Sequence, residues 1–406
     1  MVRIEEYADI VGQPTIDELF LLARELEGRT IQNVNSTAVG GGVAEILTRL
    51  LPLLKQLGVD AHWDVIRGDD RFFAITKKIH NGLHGVPTQL SPQEYELFLD
   101  VNRMNAESIS FGDIVFIHDP QPVALVERRT VHGKNWLWRC HIDFSRPDPT
   151  IWKFLEQYIN HYDGAVFSAP AFARALAIKQ VLISPSIDPL SDKNRELPES
   201  VVKNIFRKFG IDRSRPVVTQ ISRFDYLKDP LGVIKAYQLA KKNVDVQLVL
   251  AGGGATDDPE GPIVMHQVQE EADKDKDIHV LFLPAGSDIE INALQRGSTV
   301  VLQKSLREGF GLTVAEALWK ARPVIAGAVG GIPLQITHRY SGLLTRSVQG
   351  TAHAIKQLIN EPEYAQKLGI NGREHIKNNY LITRHIKDYL LLFISLFENG
   401  RDIVYL

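Results

Sequence analysis

Cysteine is nearly absent from this 406-residue sequence: Cys140 stands alone. One cysteine cannot close an internal bridge, so a disulfide scaffold is excluded. Charge of one sign is lacking as well. The 46 Lys and Arg oppose 49 Asp and Glu, for a net charge of -3, which gives no general attraction to nucleic acid or to an anionic membrane. No apolar run reaches the ~20 residues of a membrane span. The longest, Tyr389 to Phe397, reads as a buried helix face. Near the start, Glu5, Glu6 and Asp9 stand where a secretory signal needs a basic end and an apolar run. Gly (30) and Pro (20) are at ordinary levels, which excludes collagen-like and low-complexity chains. These absences predict a cytoplasmic globular chain with neither a nucleic-acid nor a membrane partner. At ~150 residues per domain, the length predicts two domains or three.

What is present is an alternation of short apolar runs with longer helical patterns, the pattern of parallel sheets wrapped by helices. Strands are predicted at 30–35, 62–66, 113–118, 136–142, 164–168 and 180–184. A second series follows at 217–221, 246–250, 279–283, 299–302, 324–326 and 342–344. Between the first two strands, Val43, Ile46, Leu47, Leu50, Leu51 and Leu54 recur at helical spacing. Residues 184–194 are polar, contain proline and show no periodicity, and they read as a linker. The expected layout is two open α/β domains hinged near residues 185–195. Ligands of such sheets sit beyond the carboxyl ends of the strands, so two facing domains would share one cleft.

Four segments could carry chemistry. Gly40-Gly41-Gly42 lies between a strand and a helix, where glycine lets a ligand approach the backbone and the helix end offers free amides. A tight turn is the structural alternative. A dinucleotide fingerprint would need Gly or Ala where Glu45 stands, which weakens a dehydrogenase reading. Ala251-Gly252-Gly253-Gly254 repeats the strand-then-glycine pattern and also fails that test, and no Walker sequence is present. After the strand ending at Ile221, Arg223 and Lys228 flank a loop that enters a helix at Pro230. Two such cations suit a diphosphate, Arg by bidentate grip and Lys as a point charge. The alternative is a solvated loop in which they pair with Asp225 and Asp229. The fourth segment runs from Ser305 to Ala317 and sets Glu308 and Glu316 on either side of Gly309-Phe310-Gly311-Leu312. Its structural alternative is a capping box, with Thr313 as N-cap and Glu316 three residues on.

Taken together, these residues resemble the retaining glycosyltransferases of family 4. Glu308 and Glu316 within Glu-Gly-Phe-Gly-Leu-Thr-Val-Ala-Glu-Ala resemble that family's signature, and Ser222-Arg223-Phe224 with Lys228 its phosphate-binding pair. Val329-Gly330-Gly331-Ile332-Pro333 resembles the turn after its next strand, and Gly40 to Glu45 its N-terminal glycine loop. The likeness spans about residues 30 to 380. Phe116-Ile117-His118-Asp119-Pro120-Gln121 and Trp138-Arg139-Cys140-His141-Ile142-Asp143 are similar to its trehalose-forming branch, which holds nucleotide-sugar-dependent synthases and retaining phosphorylases.

The resemblance implies the α/β fold called GT-B. An N-terminal Rossmann-like domain over 1–190 would serve the acceptor, and a C-terminal one over 191–380 the donor. A last helix, 381–406, would cross back to the first domain. The implied reaction moves glucose, reversibly and with retention, from a nucleoside-diphosphate-glucose to glucose, forming trehalose. The partners are thus a nucleotide sugar and a sugar acceptor; no cofactor or metal is required, and a homodimer is allowed. Arg223 and Lys228 would hold the diphosphate, Glu308 the donor sugar and Glu316 the ribose hydroxyls. Backbone amides of Gly309, Phe310, Gly311, Leu312 and Thr313 would serve the sugar and phosphates, and Gly41 and Gly42 would close the cleft. His118 would sit over the transferred sugar, with Asp119 and Asp143 on the acceptor side. The Asp-x-Asp of 273–277 reads as a solvated charge run rather than a metal motif. The rival readings are a retaining trehalose phosphorylase, another family 4 enzyme of the sucrose-phosphate-synthase type, a sugar-nucleotide epimerase and a dinucleotide-dependent dehydrogenase.

Overall fold

The computed structural model describes residues 2–38, 41–129, 134–143, 145–253 and 261–397. Gly40 and the stretch 254–260, both part of the glycine-rich segments above, lie outside the described residues. The chain divides into two compact units. Unit 1 runs to Pro185 and takes in the chain from Ile382 onward; unit 2 is Ser186–Leu381.

Each unit is built on a six-stranded parallel sheet. In unit 1 the strands are β1 (Thr30–Asn35), β2 (Asp60–Val65), β3 (Ile114–His118), β4 (Asn135–Cys140), β5 (Gly164–Phe167) and β6 (Lys179–Leu182). In unit 2 they are β7 (Val217–Ile221), β8 (Gln247–Gly252), β9 (Ile278–Phe282), β10 (Val300–Gln303), β11 (Val324–Gly327) and β12 (Leu343–Thr345). Every residue of β3 and of β7 is buried, as expected for central parallel strands covered by helices on both faces. The apolar runs of the sequence are therefore strands for a physical reason: two covered faces leave no place for alternation.

Strand order sets where ligands can bind. Unit 1 is ordered β2-β1-β3-β4-β5-β6 and unit 2 β12-β11-β10-β7-β8-β9. The direction of winding reverses between β1 and β3 in the first sheet and between β10 and β7 in the second. At such a point the two following loops splay apart and leave a crevice at the carboxyl ends of the strands.

Two expectations need correction. The polar segment 184–194 is not a solvated linker over its second half. Ser191 Oγ and Asn194 Nδ2 both donate to Asp188 O, at 2.8 and 3.0 Å, and Asn292 Nδ2 donates to the carbonyls of Asp192 and Arg195. Its polarity satisfies backbone groups inside unit 2 rather than water. The acidic run is solvated at Asp273, Lys274 and Lys276 but not at its other two acids. Asp275 pairs with Lys241 at 2.5 Å, and Asp277 with Lys241 and with Arg215 at 2.8 Å each. These hydrogen bonds from Arg215 and Lys241 hold the Asp277 carboxyl well below the usual range.

The helix Ile382–Ser395 belongs to unit 1. Tyr389 and Phe393 set their rings edge-on to Phe116 of β3, at 5.2 and 5.6 Å, and Lys387 pairs with Glu18 at 2.6 Å. Apolar residues at helical spacing thus become a cover for β3. Among the described residues no helix is long and apolar enough to cross a membrane.

Candidate active site

The crevice of unit 2 is bordered by the loops after β7 and β10. Gln220, a polar residue in a buried strand, ties them together. Its Nε2 donates to Lys228 O at 3.0 Å and its Oε1 accepts from Lys304 N at 3.0 Å. Asp225 accepts from Lys228 N and turns the first loop into a short helical turn. Asp229, with φ of 49°, then caps the helix Pro230–Lys241 by accepting from Gly232 N and pairs with Lys304. Asp is among the few residues other than glycine that tolerate this backbone conformation.

Across the crevice Lys228 Nζ meets Glu308 Oε2 at 2.6 Å. Ser305 Oγ and Gln303 Nε2 donate to the same oxygen, at 3.1 and 3.3 Å. Burial pushes the Glu308 carboxyl up, but the charge and hydrogen bond of Lys228, with Ser305 and Gln303, bring it below the usual carboxylate range. The pair is therefore ionic at neutral pH. An ammonium has three protons to donate, so Glu308 fixes Lys228 in place without exhausting it. Arg223 is different. Its side chain is 47% exposed, and its ion pair to Asp225 spans 3.6 Å. The loop alternative pairing both cations with neighbouring aspartates thus holds loosely for Arg223 and not for Lys228, because Asp229 is taken by Lys304.

The glycine-rich loop is held from behind. Gly331 N donates to Gly309 O at 3.1 Å and Gln335 Nε2 to Phe310 O at 2.5 Å. A trans peptide points its N–H opposite to its C=O, so the amides of Phe310 and Gly311 turn away from this wall. Gly311 has φ of 83°, which favours glycine, and a Cβ there would press on Glu308 Cγ from 3.1 Å. It also caps the helix Leu312–Trp319 without any side-chain bond. The capping box expected from Thr313 and Glu316 does not form: Thr313 is already inside the helix and donates instead to Gln303 Oε1 at 2.9 Å. Glu316, almost fully buried, has Gln295 Nε2 at 3.4 Å and Lys193 Nζ at 3.9 Å. One turn on, Lys320 donates to Asn194 Oδ1 and to Glu316 O. Burial brings its ammonium down to about 7, against the opposing pull of Glu316.

Unit 1 gathers neutral groups at its own switch point. His118 ends β3 with 1% exposure, its Nε2 at 3.1 Å from Asn33 Oδ1 of β1 and its Nδ1 at 3.2 Å from His141 Nε2. The bond to Asp119 expected of a purely structural histidine is absent; Asp119, at φ of 65°, accepts from His141 N at 2.7 Å. Burial, seconded by the Arg139 charge, lowers His118 to about 3 and takes His141 well below its ordinary value. Burial also raises Asp119 to about 7, opposed by its bond from His141 N. Asp143 is buried and accepts from Ser145 N at 3.0 Å. Gly41 and Gly42 begin the helix Gly41–Gln56 that follows β1. Cys140 is buried at the end of β4, where burial pushes its thiol up, a packing residue rather than a nucleophile.

Of the residues singled out in the sequence, the structure brings together Lys228, Glu308 and Gly311 in unit 2, and in unit 1 it sets His118 beside a ring given no role there, His141. Sequence reasoning passed over His141, Arg139, Asn33, Gln220 and Lys193. For Gln220 and Arg139 there was a signal, a polar residue in an otherwise apolar strand. For Asn33 and Lys193 there was none. Among the described residues no three His, Cys, Asp or Glu side chains could together hold a metal ion.

Comparison with known proteins adds an independent line. Residues 33–174 match the family described as trehalose synthase, N-terminal domain, and residues 201–375 that of the glycosyl transferases group 1. The chain is 42% identical to the trehalose synthase of Thermococcus litoralis, over 97% of each chain. It is 28% identical to the trehalose phosphorylase of Pleurotus pulmonarius, over 98% of this chain and 62% of that one. A UDP-forming trehalose-phosphate synthase from Burkholderia xenovorans superimposes with a TM-score of 0.73 at 16% identity, over 90% of this chain and 99% of the other. That likeness establishes the GT-B fold. With two sheets wound as described, a glycine-rich loop beside the Lys228–Glu308 pair, and this identity along nearly its whole length, the chain belongs to the trehalose synthase family of glycosyltransferases.

Proposed function

We propose that this chain transfers glucose, with retention, from a nucleoside-diphosphate-glucose to glucose and so forms trehalose. The observation that carries the donor half is the ionic Lys228–Glu308 pair at the switch point of unit 2, with the half-exposed Arg223 on the same loop. A diphosphate needs cations that are held but not spent. Lys228 keeps two of its three protons for phosphate oxygens, and Arg223 has a planar fork to offer. The outward-turned amides of Phe310 and Gly311 add donors, and Glu316 accepts from the ribose hydroxyls. Trehalose as product is drawn from the synthases that this chain matches at 42% identity, against 28% for the phosphorylase.

In the transfer, the bond from the sugar C1 to the diphosphate oxygen breaks and one from C1 to the acceptor hydroxyl oxygen forms on the same face. The acceptor proton passes to the departing phosphate oxygen. The work of unit 2 is to stabilise the charge developing on that phosphate. The groups assigned to the sugars are those of unit 1, with His141 in place of the more deeply buried His118 as the ring that reaches a hydroxyl, because His141 is partly exposed. His118 and Asn33 then act as its support.

The test is product analysis with isotope-labelled glucose and a panel of nucleoside-diphosphate-glucoses, followed by NMR. The expected result is a disaccharide with both anomeric centres α, formed together with free nucleoside diphosphate. Cleavage of trehalose only when inorganic phosphate is supplied, with no synthesis from any nucleotide sugar, would overturn it in favour of the phosphorylase reading.

A further inference from the structure

The polar cluster of unit 1 holds a cation that the transfer itself does not call on. Arg139, on β4, is completely buried. Among the described residues no carboxylate forms an ion pair with it, and its Nη1 is buried with no hydrogen-bond partner. Burying a guanidinium on such terms is costly. Its remaining contacts show what that cost secures. Nη2 donates to Ile183 O at 2.9 Å, the Tyr389 ring faces the guanidinium at 5.3 Å, and Nε donates to His141 Nε2 at 3.2 Å.

A guanidinium only donates and does not lose its proton. The imidazole nitrogen that faces it must therefore carry a lone pair, and a neutral ring with its lone pair on Nε2 carries its proton on Nδ1. His118 makes the opposite demand: Asn33 Oδ1 only accepts and Asn33 Nδ2 is spent on His62 O, so the neutral His118 ring keeps its proton on Nε2 and turns a lone pair on Nδ1 toward the same His141 nitrogen. Arg139, whose Nε cannot give up its proton, outweighs it. Backbone and ring pin the guanidinium on its other sides, so the direction of its Nε–H is fixed by the fold.

We propose that Arg139 is a positioning residue that locks His141 as the Nδ1–H tautomer, so that the partly exposed ring always presents a donor to a sugar hydroxyl. This rests on the reading of His141 as the sugar-contacting ring. It accounts for a buried cation beside two histidines that burial keeps neutral: the charge is there to orient a proton rather than to bind an anion.

Long-range proton–nitrogen NMR of the full-length protein tests it, with the His141 signals assigned by their loss in His141→Gln. The proposal expects Nδ1 protonated and Nε2 bare in the ligand-free wild type at neutral pH. A proton on Nε2, or rapid averaging between the two nitrogens, would overturn it. Arg139→Met keeps the length and removes the donor. It should release the ring to the averaged or Nε2–H form and lower kcat for glucosyl transfer about tenfold or more, with nucleoside-diphosphate affinity held within about twofold. Arg139→Lys, which also only donates, should restore much of the Nδ1–H form; a ring that titrates identically in both variants would contradict the assignment. If Arg139→Met does not fold, the wild-type spectrum and Arg139→Lys still decide. Finding the Nδ1–H tautomer while His141→Gln transfers glucose normally would uphold the role of Arg139 and refute the sugar-contact reading instead.

Discussion

At the switch point of unit 2, Lys228 and Glu308 meet as ions 2.6 Å apart; at that of unit 1, His118 and His141 meet as rings 3.2 Å apart that burial keeps neutral. Both sites stand at the carboxyl ends of parallel strands and both are largely out of water, yet buried ions pair with each other only at the first; the buried cation of the second, Arg139, has no carboxylate paired with it among the described residues. At the unit 2 site Lys228 pairs with Glu308 and Lys304 with Asp229, and Lys193 stands 3.9 Å from Glu316; Lys320, which bonds only neutral oxygens, is brought down by burial to about 7. In unit 1 Asp119 is pushed up to about 7 and the histidines down. The difference matches two kinds of ligand. A diphosphate brings its own charge and rewards paired cations that can be shared. Sugar hydroxyls bring none, and neutral donors and acceptors in a dry site recognise them without a large desolvation cost.

Variants that remove charge from unit 2 should therefore hurt most. Lys228→Met takes away a cation and leaves Glu308 buried beside Ser305 and Gln303 alone, and should lower kcat/KM about 100-fold or more in steady-state assays. Arg223→Ala, at a more exposed site, should cost about 10-fold to 100-fold with the fold intact by circular dichroism. His141→Gln, which removes only a neutral contact, should cost about tenfold and leave nucleotide binding unchanged. An equal or larger loss in His141→Gln than in Lys228→Met would break the comparison.

Acidity sharpens it further. Asp119 has a folded value near 7 against an ordinary 3.8, so between those values the folded chain binds the extra proton and stability falls as pH rises. Glu308 is shifted the other way. Its contribution is present above its ordinary value and is lost as pH falls below it. Asp119→Asn keeps a side chain that tolerates the left-handed backbone and can accept from His141 N. Thermal melts from mild acid to neutrality should show this variant gaining on the wild type as pH rises through that window. The smallest effect is expected away from both sites, where Asp277→Asn removes one partner of Arg215 and Lys241. It should cost about 1 kcal/mol in denaturant unfolding, without changing turnover.

The fold was legible because central parallel strands covered on both faces leave short apolar runs, and a strand stands at or within two residues of each of the twelve places predicted for one. The donor loop was legible for a similar reason, since glycine at 311 and acids at 308 and 316 sit at fixed offsets along one segment. What stayed hidden depended on contacts between distant segments. Nothing near Lys228 says that its partner lies 80 positions on, and the capping-box pattern at Thr313 is locally sound but loses to Gly311, which starts the helix earlier. His141 was quoted within its motif and passed over for His118, because the burial of His118 against Asn33 of β1, 85 positions away, is not announced by neighbours in sequence.

Everything proposed for the donor depends on the diphosphate resting at Lys228 and Arg223, with Glu308 holding Lys228 in place. Calorimetric titration of a nucleoside diphosphate into the wild type and into Lys228→Met, at matched ionic strength, tests this most directly. The account predicts that the variant binds about tenfold more weakly or worse, while a melt shows it folded. Equal affinity in the two proteins would contradict it.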